Sequence, residues 1–172
     1  MTLLEFRSRL IGSSVSDILL PGFLDQDETP IRFRSLPRAV YFECNSIYLT
    51  MEAIETTGSM RLSVQDRIEI PVQIEEEDMT AAVTSLREQY LDDSDGRNDL
   101  SAIRFWNAKE DESGLLCAAL QIELVKGQQI FIDPTYHFGI RIGGPRQRDI
   151  WFENWPAAKV AVEHVVSLVD AR

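Results

Sequence analysis

The sequence is poor in the residues that most often announce chemistry. Its 172 residues include two cysteines, two histidines and three lysines. Cys44 and Cys117 lie far apart and form no CxxC pair, so the spacing supports neither a zinc ribbon nor a dithiol redox motif. They are expected to be reduced, buried thiols of a cytoplasmic protein. His137 and His164 form no HxH or HExxH, and a zinc site would have to be assembled from distant Cys44, Cys117 and His137. No metal or cofactor is expected on that spacing. GxSxG and P-loop motifs are missing. Gly139-Ile140-Arg141-Ile142-Gly143-Gly144 has the wrong glycine spacing for a dinucleotide fingerprint. Long apolar runs are missing too, which argues against a membrane span of about 18 residues or more. Glu5, Arg7 and Arg9 interrupt the apolar start of the chain, so a signal peptide is not expected.

Positive charge is scarce. Lys and Arg number 17 against 28 Asp and Glu, a net charge of −11, with a pI near 4.6. Nucleic-acid binding draws on Lys and Arg to displace phosphate counterions, so that class is disfavoured. An anionic membrane surface is disfavoured for the same reason. A basic protein partner is compatible, because long-range steering would draw it in. Residues 1–99 carry a net −10 and residues 100–172 a net −1, so an acidic interaction face belongs mainly to the first part.

Patterning predicts an α+β fold in a single α+β domain, 1–172. The expected core is a mainly antiparallel sheet of about seven to nine strands with three flanking helices near 3–11, 79–91 and 156–169. Residues 60–70 alternate apolar and polar, with a bend near Asp66. Pro21-Gly22 reads as a break that ends the N-terminal region. Met79, Val83, Leu86 and Tyr90 recur at helical spacing behind Glu75-Glu76-Glu77-Asp78, and Asp78 can cap such a helix. The C-terminal part reads as a meander of short strands, with a turn at Lys126-Gly127 and a strand over 148–155. Pro156 then suits the first turn of a last helix carrying Val162, Val165, Val166 and Val169. Ile31-Arg32-Phe33 recurs as Ile103-Arg104-Phe105, which leaves open two similar lobes, 30–91 and 100–170.

Residues 92–99 have an acidic, calcium-loop flavour. Setting Gly96 as the required glycine places Leu91 and Ala102 at ligand positions, so the motif fails. A triad of Cys117 or Cys44 with His137 and Asp133 is conceivable by residue type, but both cysteines sit in apolar strand-like stretches that favour inert thiols. The densest chemistry lies in 131–155. Strand alternation there predicts one face carrying His137, Arg141, Trp151, Glu153 and Trp155, as a protein interface or a stacking pocket. An Arg141–Glu153 ion pair inside the protein is the plainer alternative. Gly139 would leave room for a ligand or an opposing backbone.

Two functions follow as expectations. The first is a cytoplasmic, non-enzymatic protein-binding module whose acidic face, including Glu75, Glu76, Glu77 and Asp78, meets a basic partner, as a toxin-immunity or inhibitor protein would. The alternative is a small-molecule-binding domain or an enzyme that uses the His137/Arg141/Trp151/Glu153/Trp155 face. An assembly subunit would reveal itself as a large stable oligomer.

Overall fold

A computed structural model describes residues 1–54, 57–70, 78–92, 97–112, 114–136 and 139–169. The chain opens with α1 (Leu3–Leu10), closed at its start by a capping box in which Glu5 N donates to Thr2 Oγ1 (3.1 Å) and Thr2 N to Glu5 Oε2 (2.8 Å). Strands β1 (Ser14–Asp25), β2 (Arg32–Ser35), β3 (Ala39–Cys44), β4 (Ile47–Ile54), β5 (Ser59–Gln65) and β6 (Met79–Ser85) follow. A one-turn helix α2 (Arg87–Tyr90) leads to β7 (Asn98–Trp106), β8 (Lys109–Asp111), β9 (Gly114–Cys117) and β10 (Ala119–Leu124). Then come β11 (Gln129–Tyr136), β12 (Gly139–Gly143), helix α3 (Pro145–Asn154), a 3₁₀ turn (Pro156–Val160) and β13 (Glu163–Ser167). The mainly antiparallel α+β reading holds, but the described residues form thirteen strands rather than seven to nine.

The organising element is β1. Along one edge it pairs with β3 and then β2, and along the other with β7 and then β6. Pro21-Gly22, expected to end a region, lies inside it. Pro21 O accepts from Leu36 N at 2.8 Å. N–H and C=O of one strand residue point to the same edge, so the donor that Pro21 lacks faces the gap between β2 and β3. Gly22 is required by close approach, since a Cβ there would lie 2.2 Å from Arg34 O.

Three other expectations are corrected. The stretch 79–91 is not one helix: 79–85 is β6, in seven-residue register with β1 from Asp25↔Met79 to Leu19↔Ser85. Unpaired backbone along β1 and the β-branched Thr80, Val83 and Thr84 outweigh the helical spacing. The stretch 156–169 is a 3₁₀ turn followed by β13, which pairs with β7; its valines are β-formers first. The stretch 148–155 is not a strand but most of α3, with Pro145 in the first turn and Gln147 and Trp151, four apart, as its buried pair. The alternation read over 60–70 holds as far as Gln65, where β5 ends, so Ile68 and Ile70 lie beyond the strand; the turn at Lys126-Gly127 is found as read, with Gly127 at φ +89°. Ile31 is exposed beside edge strand β2, whereas Ile103 is buried in β7.

The sheet folds back on itself around the main core. Ile18, Phe42, Leu49 and Leu62 from β1, β3, β4 and β5 meet Ile103, Leu120, Ile122 and Ile132 from β7, β10 and β11. Helix α1 seals one end: Phe6 packs edge-on against Phe105, with ring centroids 5.3 Å apart. Arg9 bonds Val64 O and Asp66 on one side, and Arg7 Nε donates to Ser167 O on the other. At the opposite side β12 returns to the β2–β3 link, where Ile140 N donates to Pro37 O. Gly139 has φ +123°, and a Cβ there would lie 2.2 Å from Pro37 O. The room it leaves is thus used by an opposing backbone. No helix among the described residues is long and apolar enough to cross a membrane.

Candidate functional site

The outer face of β7, β10 and β11 is covered by α3. Trp106, Phe131 and Trp151 meet there with centroids 5.4–5.9 Å apart, and Phe152 packs edge-on at 5.0 Å from Trp151 and 5.8 Å from Trp106. This aromatic cluster is separate from the main core and includes Ala119 and Ala158. Small residues at those two positions leave the volume that the large rings fill. Trp155 caps α3, its N–H donating to Trp151 O at 2.9 Å.

Where α3 runs past the end of β11, it leaves a cavity of about 240 Å³ whose walls include Asp133, Tyr136, Arg141, Trp151, Asn154 and Trp155. Asp133 is buried and accepts three hydrogen bonds. Its Oδ1 accepts from Thr135 N (2.9 Å) and Thr135 Oγ1 (2.6 Å), and its Oδ2 accepts from Gln147 Nε2 (2.8 Å). This side-chain turn coincides with the break in register between Asp133↔Arg141 and Tyr136↔Gly139. Arg141 lays its guanidinium over the Tyr136 ring, 4.0 Å from the centroid. It makes no ion pair among the described residues. Trp151 is 1% exposed, and its indole N–H has no acceptor in the protein. A second, apolar cavity of about 230 Å³ lies between Leu20, Leu86, Ile140 and Ile142. The Tyr136–Arg141 stack is common to both cavities.

Arg141, Trp151 and Trp155 are therefore brought to one cavity, though not by strand alternation. Trp151 and Trp155 are four residues apart and share a helical face, whereas Glu153 is exposed and not part of the cavity wall. Arg141 and Glu153 form no ion pair; Tyr136 takes the guanidinium instead. His137 lies outside the described residues, as do Glu75, Glu76 and Glu77. Asp78 is exposed, and its carbonyl accepts from Gln26 N at 2.9 Å. Thr135, Tyr136, Gln147 and Asn154 were not singled out from sequence. The Asp133-x-Thr135 spacing, which suits a side-chain turn, is the signal that could have found the first.

On the other side of α3 runs a polar groove of about 480 Å³. Arg104 dominates it, bonded through Nε to Glu123 and through Nη1 to Glu163 at 2.7 Å. Those two carboxylates hold its guanidinium well above the ordinary arginine value. The thiols lie elsewhere, on the inner side of β3 and β9. Burial pushes Cys44 up to about 12, and burial raises Cys117 as well. Both stay protonated at neutral pH and are poor nucleophiles there.

Comparison of the chain with protein-family models, with curated proteins and with solved structures finds no match.

Proposed function

We propose that the chain is a non-enzymatic binding module whose acidic end takes a basic protein partner. One observation carries this reading. The β1–β6 pairing sets Asp25 opposite Met79, and Gln26 is tied to Asp78 O through its N–H and to Thr80 Oγ1 (2.7 Å) through its side chain. The Asp25–Glu28 run and Asp78, far apart in sequence, thereby meet at one end of the sheet. Glu75-Glu76-Glu77 immediately precedes Asp78 in the sequence. Nearby positive charge is committed to Glu28, which Arg34 bonds and Arg32 approaches at 3.6 Å. Asp25, Asp27 and Asp78 have no ion-pair partner among the described residues. A cluster of unpaired carboxylates raises the association rate with a basic surface and repels phosphate backbones. A reducing compartment such as the cytoplasm suits the two free thiols.

The test is a salt-graded pull-down with the full chain, beside a variant carrying Asp25→Lys, Asp27→Lys and Asp78→Lys. A basic protein held in near-stoichiometric amount, released by salt and lost with the variant, is the expected result. Equal retention by the variant removes this end of the sheet from the argument.

A second reading, small-molecule binding at the cavity beside α3, is favoured by Arg141, which lies in its wall and makes no ion pair among the described residues.

A further inference from the structure

The strand edges point to how a basic partner is held, and the inference rests on the first reading above. We infer that the open edge of β6 takes an extended, lysine- or arginine-bearing segment of that partner as an added strand. Strands β2, β6, β8, β12 and β13 each pair with a single neighbour among the described residues. Exposed edges invite foreign strands, and proteins blunt them with charge, proline or a covering contact. Four of these edges are blunted. β2 carries Arg32 and Arg34, and β8 is Lys109-Glu110-Asp111. β12 carries Arg141, and its Ile140 N donates to Pro37 O. β13 carries Glu163, and Arg7 Nε donates to its Ser167 O. β6 differs, with neither a charged residue nor a proline in its seven residues.

The register shows which groups stand open. Gln26 N donates to Asp78 O and Leu86 N to Ile18 O, one bond at each end of the β1–β6 ladder. Hydrogen-bonded pairs alternate along an antiparallel ladder. Thr80, Ala82 and Thr84 therefore bond β1, and Ala81 and Val83 turn N–H and C=O to the other edge. Those groups have no hydrogen-bond partner among the described residues. Both side chains are exposed as well. Main-chain bonds from an added strand would satisfy this edge. Charge selects the occupant. The edge begins beside Asp25, Asp27 and Asp78, whose carboxylates make no ion pair among the described residues. A segment with Lys or Arg at that end meets them favourably, and an acidic one is repelled. The net charge of −11 likewise opposes a second copy of this chain on the same edge.

The experiment adds the acetylated, amidated peptide Lys-Thr-Lys-Val-Lys-Thr-Lys to the native chain and, in parallel, the same peptide with Glu in place of each Lys. Backbone amide hydrogen exchange is followed by NMR. The Ala81 and Val83 amides are expected to exchange freely in the chain alone and to slow at least tenfold with the lysine peptide. The glutamate peptide is expected to bind at least tenfold more weakly. Ala81→Pro removes an outward donor without removing a bond to β1, and is expected to weaken the lysine peptide at least tenfold. Native-like affinity in that variant overturns the β6 edge as the contact. Lysine peptide bound with Ala81 and Val83 unprotected overturns strand addition and leaves the acidic-end reading standing. Equal binding of the glutamate peptide overturns the basic class of the occupant. Protection in the chain alone that grows with its concentration assigns the edge to a second copy and overturns the proposal. No binding of either peptide at millimolar concentration overturns strand addition, and the pull-down above then decides the first reading by itself. The exchange measurement needs only the native chain, so it decides even where the proline variant does not fold.

Discussion

Strands β7, β10 and β11 present two unlike faces built from alternating residues of the same backbones. The inner face carries Ile103, Phe105, Leu120, Ile122, Ile130 and Ile132, all in the main core. The outer face carries Arg104, Trp106, Gln121, Glu123, Phe131 and Asp133. Inside, burial alone decides, and many apolar side chains would satisfy it. Outside, nearly every polar group has a particular partner: Arg104 with Glu123 and Glu163, Gln121 with Arg148, Asp133 with Thr135 and Gln147. The contrast separates what holds the sheet from what gives the protein individual chemistry. Arg141, which makes no ion pair among the described residues, is found on the outer side, where α3 leaves the cavity.

Four measurements would break or sharpen that contrast. The largest effect should come from pH. Burial raises Cys44 from its ordinary value of 9.0 to about 12 and raises Cys117 too. The unfolded thiols ionise first, so stability is fully present below pH 9 and is lost as pH rises toward about 12. Each thiol can cost up to about 1.4 kcal/mol per pH unit in that window. Urea unfolding from pH 8 upward checks this, and replacing both cysteines by alanine should reduce the slope, leaving the part due to Tyr41, which burial raises from 10.0 to about 12.

Next, Phe105→Ala on the inner face should cost about 3–5 kcal/mol of stability, read as a lowered urea midpoint. Asp133→Ala on the outer face removes the acceptor for Thr135 and Gln147 and should cost about 2 kcal/mol; equal losses at the two positions would erase the contrast. The smallest effect belongs to Arg141→Gln, whose stacking on Tyr136 is worth about 0.5–1 kcal/mol at most. A larger loss in thermal unfolding would show that the cavity rim is structural.

Much of the inner face was legible, because strand alternation and burial agree: 60–65 reads as β5 directly. The outer layer was not. Ile150-Trp151-Phe152-Glu153-Asn154-Trp155 alternates well enough to pass for a strand, and only Gly-Gly-Pro ahead of it signals a helix. Its apolar residues belong to a second, smaller core that no one-face pattern describes. Strand β1 was hidden by Pro21-Gly22, which the gap between β2 and β3 accommodates. Strands β6 and β13 were hidden because Val and Met spaced by three and four fit a helix as well as an edge strand. Arg141, Trp151 and Trp155 were singled out by residue type, and their meeting depends on α3 rather than on the alternation that suggested it.

The central place of β1 also shapes how the chain can fold. It is synthesised early, yet its partners β6 and β7 arrive late, with β7 beginning at Asn98. Until then a long strand stands with one edge open to any neighbour. The pairings of β1 with β6 and β7 are therefore non-local, which slows folding and delays it until β7 is made. A chain cut before β7 would not be a smaller version of this protein; it would be an exposed edge inviting aggregation.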